Sequence, residues 1–422
     1  MNVRAVITGL GAISPAGIGV DTLWRAVRDG VPSGHRISTF DTSKNTSHIA
    51  AEVPDFDPAA CGLAPEDVRR LDRVCLFSIL ASRMAMQDSG IEINDPTRIG
   101  VVMGTAIGGV GYMERTFNQA SVADGPAKPQ VVAVRQEDMD PYVYGAFMPH
   151  SVSTEVARDL NVCGVCSTVS TGCTAGIDAI GTAADLIAAG YADVVITGGA
   201  DAPITPIVLT AFDNINCLTR RNHEPTHASR PFDRERDGFL LAEGCGVLVL
   251  ESLAHARKRS ARIYGAIIGF ASLSNAYHMT SLPPDGRVLG ATLKLALERA
   301  AINASDVDYI NAHGSSTKQN DRNETAAFKL AFGPFAPGIP ISSTKSIIGH
   351  SLGAASALET VVCTKAMQES VAPPTANYEV PDPECDLDYV PNTARDCKLM
   401  ITECNASGFS GIHSSLLLCR EI

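Results

Sequence analysis

Short apolar runs that stop at Gly or at Thr-Ala alternate along the chain with helix-period segments, and no other feature limits the fold as strongly. Ala5–Gly9, Ile99–Met103, Val194–Ile196, Val247–Leu250 and Tyr309–Asn311 read as strands. Cys75–Asp88, Ala175–Ala189 and Gly290–Ala300 carry the helical period. Short runs that are apolar throughout suit strands covered on both faces. The expectation is an α/β protein built on a buried, mostly parallel sheet. No Pro/Ser-rich linker or low-complexity tract interrupts the chain, so tethered domains are not expected.

The series also echoes itself. Val6–Ser14 resembles Ala266–Ser272, and Arg98–Thr105 parallels Val307–Gly314. Ser167–Gly176 then parallels Ser343–Gly353, and Asp193–Gly199 parallels Leu399–Gly408. Each match alone is weak, but their common order suggests two similar halves, 1–255 and 256–422. Corresponding loops would face each other across a pseudo-two-fold axis. Cys173, His313 and His350 would then come from matching loop positions.

Composition narrows the function. Hydrophobic residues make up 45% and charged residues 19% of the 422, which excludes an intrinsically disordered chain. Aromatics are 5%, with Trp24 the single tryptophan, and the net charge is −12. Neither fits a nucleic-acid partner, which needs stacking platforms and a basic surface. No apolar run reaches the roughly 18 residues of a membrane span. Met1–Arg4 leads straight into the first strand, so no signal peptide is expected. The twelve cysteines contain one CxxC, Cys163-Gly-Val-Cys166, without the second pair of a zinc ribbon. Most read as small core hydrophobes of a cytoplasmic protein with reduced thiols.

Cys173 stands apart. It lies between the small-residue segment Thr168–Thr171 and a helix, Thr174–Ala189. A thiol in the first turn of a helix meets the positive dipole end and unpaired N–H groups, which favour thiolate. Gly172 and Gly176 leave room for a sharp turn and for a substrate carbonyl. His313 follows the strand Tyr309–Ala312, and His350 sits at a loop-to-helix junction five residues after Lys345. Strand ends are where α/β enzymes place catalytic groups. These residues form a set suited to a nucleophile and a polarised carbonyl.

Two competing motifs are weaker. Gly349-His350-Ser351-Leu352-Gly353 has the spacing of a serine-hydrolase elbow, with Asp386 or Asp388 and then His413 in the required order. Lys345 and Ser346, however, interrupt the strand that should lead into it. Gly9-Leu10-Gly11 and Gly198-Gly199 do not complete a dinucleotide fingerprint.

Cys173, His313-Gly314-Ser315-Ser316-Thr317, Asn320-Asp321 with Glu324, Lys345 and Gly349-His350 with Gly353-Ala354 together resemble the β-ketoacyl synthases. So do Arg230-Pro231-Phe232-Asp233 with Arg236-Asp237-Gly238-Phe239, Glu243-Gly244 and Ser407-Gly408-Phe409. The resemblance spans essentially the whole chain. It implies the thiolase fold, a five-layer αβαβα sandwich of duplicated halves: 1–255 with the nucleophile and 256–422 with the histidine pair.

The resemblance also implies the chemistry. Cys173 would carry the growing acyl chain, taken from the phosphopantetheine arm of an acyl carrier protein. His313 and His350 would bind a malonyl thioester, assist loss of CO2 and stabilise the enolate. The N–H groups of Cys173 and Phe409 would form the oxyanion hole, with Phe409 also gating the pocket. Lys345 would hold the histidines, with Glu324, Asp321 and Glu359 as supports. No metal or organic cofactor is implied.

Within the family, Val169–Asp178, Gln319–Ala327 and Pro373–Asn377 with Asp382–Pro391 look like the ketosynthase α subunit of type II aromatic polyketide synthases. The alternative is an elongating synthase of fatty-acid synthesis. The polyketide reading implies a heterodimer with a chain-length factor, working with an acyl carrier protein and a malonyl transferase. Ser410 replaces a common glycine of the family, and His413 a common Asn. An acidic enzyme meeting an acidic carrier needs a local basic patch, for which Arg69, Arg70 and Arg73, or Arg220 and Arg221, are candidates.

Overall fold

A computed structural model describes residues 3–120, 137 and 139–421. One series of elements occurs twice in it. The first is β1 (Ala5–Ser14), α1 (Arg73–Ser89), β2 (Ile99–Gly104), α2 (Ser151–Leu160), β3 (Cys166–Val169), α3 (Ala175–Ala188), β4 (Val194–Asp201) and β5 (Gly244–Glu251). The second is β6 (Gly265–Ser274), α4 (Arg287–Ala300), β7 (Tyr309–Asn311), α5 (Lys318–Phe332), β8 (Ile341–Ser342), α6 (Ala355–Glu369), β9 (Ile401–Ser407) and β10 (Ile412–Cys419). Each echoed pair of segments takes the same place in its own series.

The strand order is β8-β7-β9-β10-β6 in one half and β1-β5-β4-β2-β3 in the other. The two meet where Ala5–Ile7 of β1 pairs with Gly265–Ile267 of β6. In each half four strands run the same way, and one, β5 or β10, runs against them between its two neighbours. The sheet is therefore mixed rather than mostly parallel. One reversal has a plain cause: only the short turn Gly408–Gly411 joins β9 to β10, too short for a parallel crossover.

Strand faces alternate as a two-residue period requires. Leu248 and Leu250 of β5 pack in the central core, whereas Val247 and Val249 face the core beneath α1. Leu416 and Leu418 of β10 join the same central core, and Leu417 and Cys419 face the core of α4 and α5. The layers are thus α1 and α2, one half of the sheet, α3 with α6, the other half of the sheet, then α4 and α5. A helix between two sheets needs an apolar surface all round, and α6 is buried from Ala355 through Thr364.

The two central helices approach closely at a glycine. A Cβ on Gly176 would lie 2.7 Å from the Gly353 carbonyl oxygen and 2.8 Å from the Ala357 nitrogen. Gly176 therefore makes room for the opposite helix, not for a substrate carbonyl. Among the described residues no helix is long and apolar enough to cross a membrane. Gly176→Val should lower unfolding stability by about 2 kcal/mol or more, because backbone lies on the far side of the contact. Urea denaturation measures this, and an unchanged midpoint would contradict the packing described.

Candidate active site

The Cys173 turn is stapled from below. Gly172 sits at φ 67°, a left-handed conformation with open space beside it, and starts the one-turn 3₁₀ segment Gly172–Thr174. Asp178, in the first turn of α3, accepts hydrogen bonds from Thr171 Oγ1 at 2.6 Å, Thr174 Oγ1 at 2.8 Å and Ser414 Oγ at 2.5 Å. The turn is thereby tied to β10 of the other half. Ser356 adds a second tie: it accepts from the Ile177 N–H at 3.0 Å and donates to the Cys173 carbonyl at 3.4 Å.

His350 follows β8 and the helical turn Lys345–Ile348, the position in its half that Cys173 holds in the other. His313 follows β7 and so matches the loop after β2, at Thr105, rather than the Cys173 loop. The expected correspondence holds for Cys173 and His350 but not for His313. The two imidazoles meet edge to face with centroids 5.2 Å apart, and Phe239 lies edge to face on His350 at 5.2 Å. Cys173, His313, His350 and Phe409 line one cavity of about 500 Å³.

Burial governs the charges here. It pushes the Cys173 thiol up to about 12, with Asp201 adding to the rise. The Lys345 charge and the backbone N–H groups of Phe409 and of Cys173 itself oppose it. The thiolate expected from the helix start is not the resting form, because desolvation outweighs the dipole and the cation. Both histidines are held well below their usual range, by burial first and then by Lys345. They are neutral imidazoles at physiological pH. Nδ1 of each is buried without a hydrogen-bond partner among the described residues.

Lys345 and Glu359 lie beneath the cavity. They form a fully buried ion pair with each other, and burial pushes the Glu359 carboxyl up against the pull of Lys345. Glu324, on α5, holds the His313 loop. It accepts from the backbone N–H of His313 at 2.6 Å and of Gly314 at 2.8 Å, and from Asn405 Nδ2 at 2.8 Å and Asn320 Nδ2 at 3.2 Å. Burial nonetheless pushes its carboxyl up to about 7. Asp321 points elsewhere: it pairs with Arg236 at 3.2 Å and accepts from the Phe232 N–H at 2.8 Å, anchoring the 230–238 loop.

Phe409 is 37% exposed at the cavity rim, tilted against Phe212. Next to it Ser410 takes φ 67°, the left-handed region that a glycine enters without cost. His413 is fixed at both nitrogens, by Ser407 Oγ at 2.9 Å and Asn275 Nδ2 at 3.2 Å. The hydrolase arrangement is therefore absent: His413 does not meet Ser351, while Asp386 pairs with Lys329 and Asp388 with Arg395. Cys163 and Cys166 are exposed free thiols.

Several lining residues escaped the sequence reading. Cys217 and Thr280–Leu282 line the cavity. None of these stands in a motif, so only the fold brings them in, whereas Asp237, which also lines it, lies in the Arg236–Phe239 motif. Asp178 had a usable signal, an acid in the first turn of a helix. For the Glu324 cradle, Glu324→Ala should cost about 3 kcal/mol of stability, because it strands several buried donors, and Glu324→Gln should cost less because it keeps one acceptor. Chemical denaturation of both variants tests the order, and equal losses would contradict it.

With the geometry in place, relatives can be compared. Residues 3–256 match the model of the β-ketoacyl synthase N-terminal domain, and residues 264–379 that of the C-terminal domain. The ketoacyl synthase α subunit of the tetracenomycin polyketide synthase of Streptomyces glaucescens is 46% identical over 422 residues, covering 99% of this chain and 97% of that one. A 3-oxoacyl-[acyl-carrier-protein] synthase 2 of Coxiella burnetii is 42% identical, covering 99% and 98%. Among solved structures, a type II polyketide synthase acyl-carrier protein in complex with its ketosynthase bound to the hexaketide superposes with a TM-score of 0.91 at 36% identity. The ishigamide ketosynthase/chain length factor does so with 0.90 at 34%, each covering 100% of both chains. The chain belongs to the β-ketoacyl synthase family.

Proposed function

We propose that this chain is the ketosynthase α subunit of a type II aromatic polyketide synthase, extending an acyl chain held on Cys173 by decarboxylative condensation with a malonyl thioester. One observation carries the reading: a buried cysteine and two neutral imidazoles share one cavity with the N–H groups of Cys173 and Phe409. The Cys173 sulfur attacks the carrier thioester, its proton passes to a neutral imidazole, and the carrier thiol leaves. The next malonyl thioester then binds with its carbonyl oxygen against His313 and His350. Loss of CO2 leaves the electron pair as an enolate, which the imidazole N–H groups stabilise. The enolate carbon attacks the acyl carbonyl, whose oxygen takes the N–H groups of Cys173 and Phe409, and the Cys173 sulfur departs.

In this scheme Lys345 is a positioning residue whose charge keeps the imidazoles neutral, paired to Glu359 so that its own charge is not left alone. Glu324 positions the His313 loop, and Asp321 supports the neighbouring loop. Carbanion formation draws its electrons from the departing carboxylate, so the reaction needs neither metal nor organic cofactor. The repeated element series supports a division into 1–255, carrying Cys173, and 256–422, carrying the histidines.

The partners in this reading are a chain-length factor, an acyl carrier protein and a malonyl transferase. The relatives that pair with a chain length factor or hold a carrier protein support the first two. For carrier docking, the arginines suggested by sequence are mostly engaged: Arg70 with Asp67 and Glu155, Arg73 with Glu243, Arg221 with Glu224 and Glu235. A groove of about 410 Å³ offers Arg234 and Lys318 without an ion pair among the described residues, whereas its Arg236 is buried with Asp321 and Asp382 and its Arg322 pairs with Glu384. Lys318 also lines the catalytic cavity, so the groove lies at its mouth.

The second reading, an elongating synthase of fatty-acid synthesis, is favoured by the 42% identity to the Coxiella burnetii enzyme. Purification separates the two: a cysteine-lacking homologous partner marks the polyketide enzyme, an active homodimer the other. Cys173→Ala should abolish chain extension while assembly with the partner persists, read by mass spectrometry of products and by gel filtration. Retained extension would end the mechanism. Arg234→Glu with Lys318→Glu should raise KM for carrier-borne malonate about tenfold, and an unchanged KM would remove the groove.

A further inference from the structure

Asp201 closes β4 and is fully buried, yet no cation among the described residues pairs with it. Its carboxylate is instead filled by donors from both halves of the chain. Oδ1 accepts from Thr105 Oγ1 at 2.7 Å and from the Ile107 N–H at 3.2 Å. Oδ2 accepts from the Ala106 N–H at 2.8 Å and from the Gly353 N–H at 2.7 Å. Three of these donors belong to the loop after β2, and the fourth to the turn three residues beyond His350.

A buried carboxylate without a counter-cation is costly, and a neutral side chain could accept most of these bonds. The placement gives this set of bonds a use. Gly353 is pressed between Asp201 and the first turn of α3: a Cβ on it would lie 2.6 Å from Asp201 Oδ2, while its carbonyl closes on Gly176 and Gly199. Ser356, in the next turn, touches both the Cys173 carbonyl and the Ile177 N–H. Asp201 therefore holds the His350 segment against the base of the Cys173 helix.

We propose that Asp201 is a positioning residue for the condensation: it tethers the turn after His350 to the Cys173 layer. The proposal rests on the ketosynthase reading for its catalytic readout. The geometry of the tether is complete in the chain itself, with four donors from two distant segments converging on one carboxylate.

Two variants test the tether. Asp201→Asn keeps one acceptor for the Ala106 and Gly353 N–H groups, so kcat for extension should stay within about threefold of the parent's. Asp201→Ala loses it, and kcat should fall about a hundredfold with KM changed less than threefold, as for misplacement of a reacting group. A folded Asp201→Ala, with an unfolding temperature close to the parent's, that keeps its kcat overturns the tether, as does an Asp201→Asn that loses as much as Asp201→Ala. Should Asp201→Ala not fold, Asp201→Ser takes its place, because its shorter side chain cannot span to the Gly353 N–H: a kcat retained there overturns the tether. A parent chain that never extends malonate counts against the ketosynthase reading; the tether is then read from the rate of Cys173 alkylation by iodoacetamide, followed by mass spectrometry of its peptide, which should rise in Asp201→Ala and not in Asp201→Asn, and equal rates in all three overturn it.

Discussion

The site depends on one close contact, that of α3 with α6 in the layer between the two halves of the sheet. At Gly176 and Gly353 the backbones come near enough that a methyl group would overlap the opposite chain. Because each helix starts one turn beyond a site residue, this contact sets Cys173 opposite His350. Ser356 and Asp178 add directional ties, linking the Cys173 turn to α6 and to β10. Packing supplies most of the energy in such a layer, and hydrogen bonds supply register.

That same burial sets the electrical character of the cavity. Burial first, and then the Lys345 charge held in its pair with Glu359, keep His313 and His350 uncharged. Neutral imidazoles suit a reaction that needs hydrogen-bond donation toward a developing enolate and a place for a thiol proton. A charged pair would resist the second task. Burial likewise favours the protonated form of the Cys173 thiol.

Much of this was legible in the chain. Apolar runs of strand length showed the sheet, and four echoed segments showed the duplication, because strand ends and the turns after them tolerate few residue types. Cys173, His313, His350 and Lys345 stood out because small residues and glycines surround them. What misled was local reasoning about charge and space. The helix start suggested a thiolate, and Gly176 suggested room for substrate. Desolvation and a neighbouring helix, neither visible from the residues beside Cys173, decided both.

The sequence by itself determined the two-fold series of strands and helices, the candidate side chains and the family, since these depend on period, turn chemistry and motif. Tertiary structure alone decided which residues share a cavity, which cations stay free of ion pairs, and how far each ionisable group is shifted. Those properties depend on distances between segments far apart in the chain. Asp201 joins residues 105–107 to Gly353, a contact that no local pattern encodes.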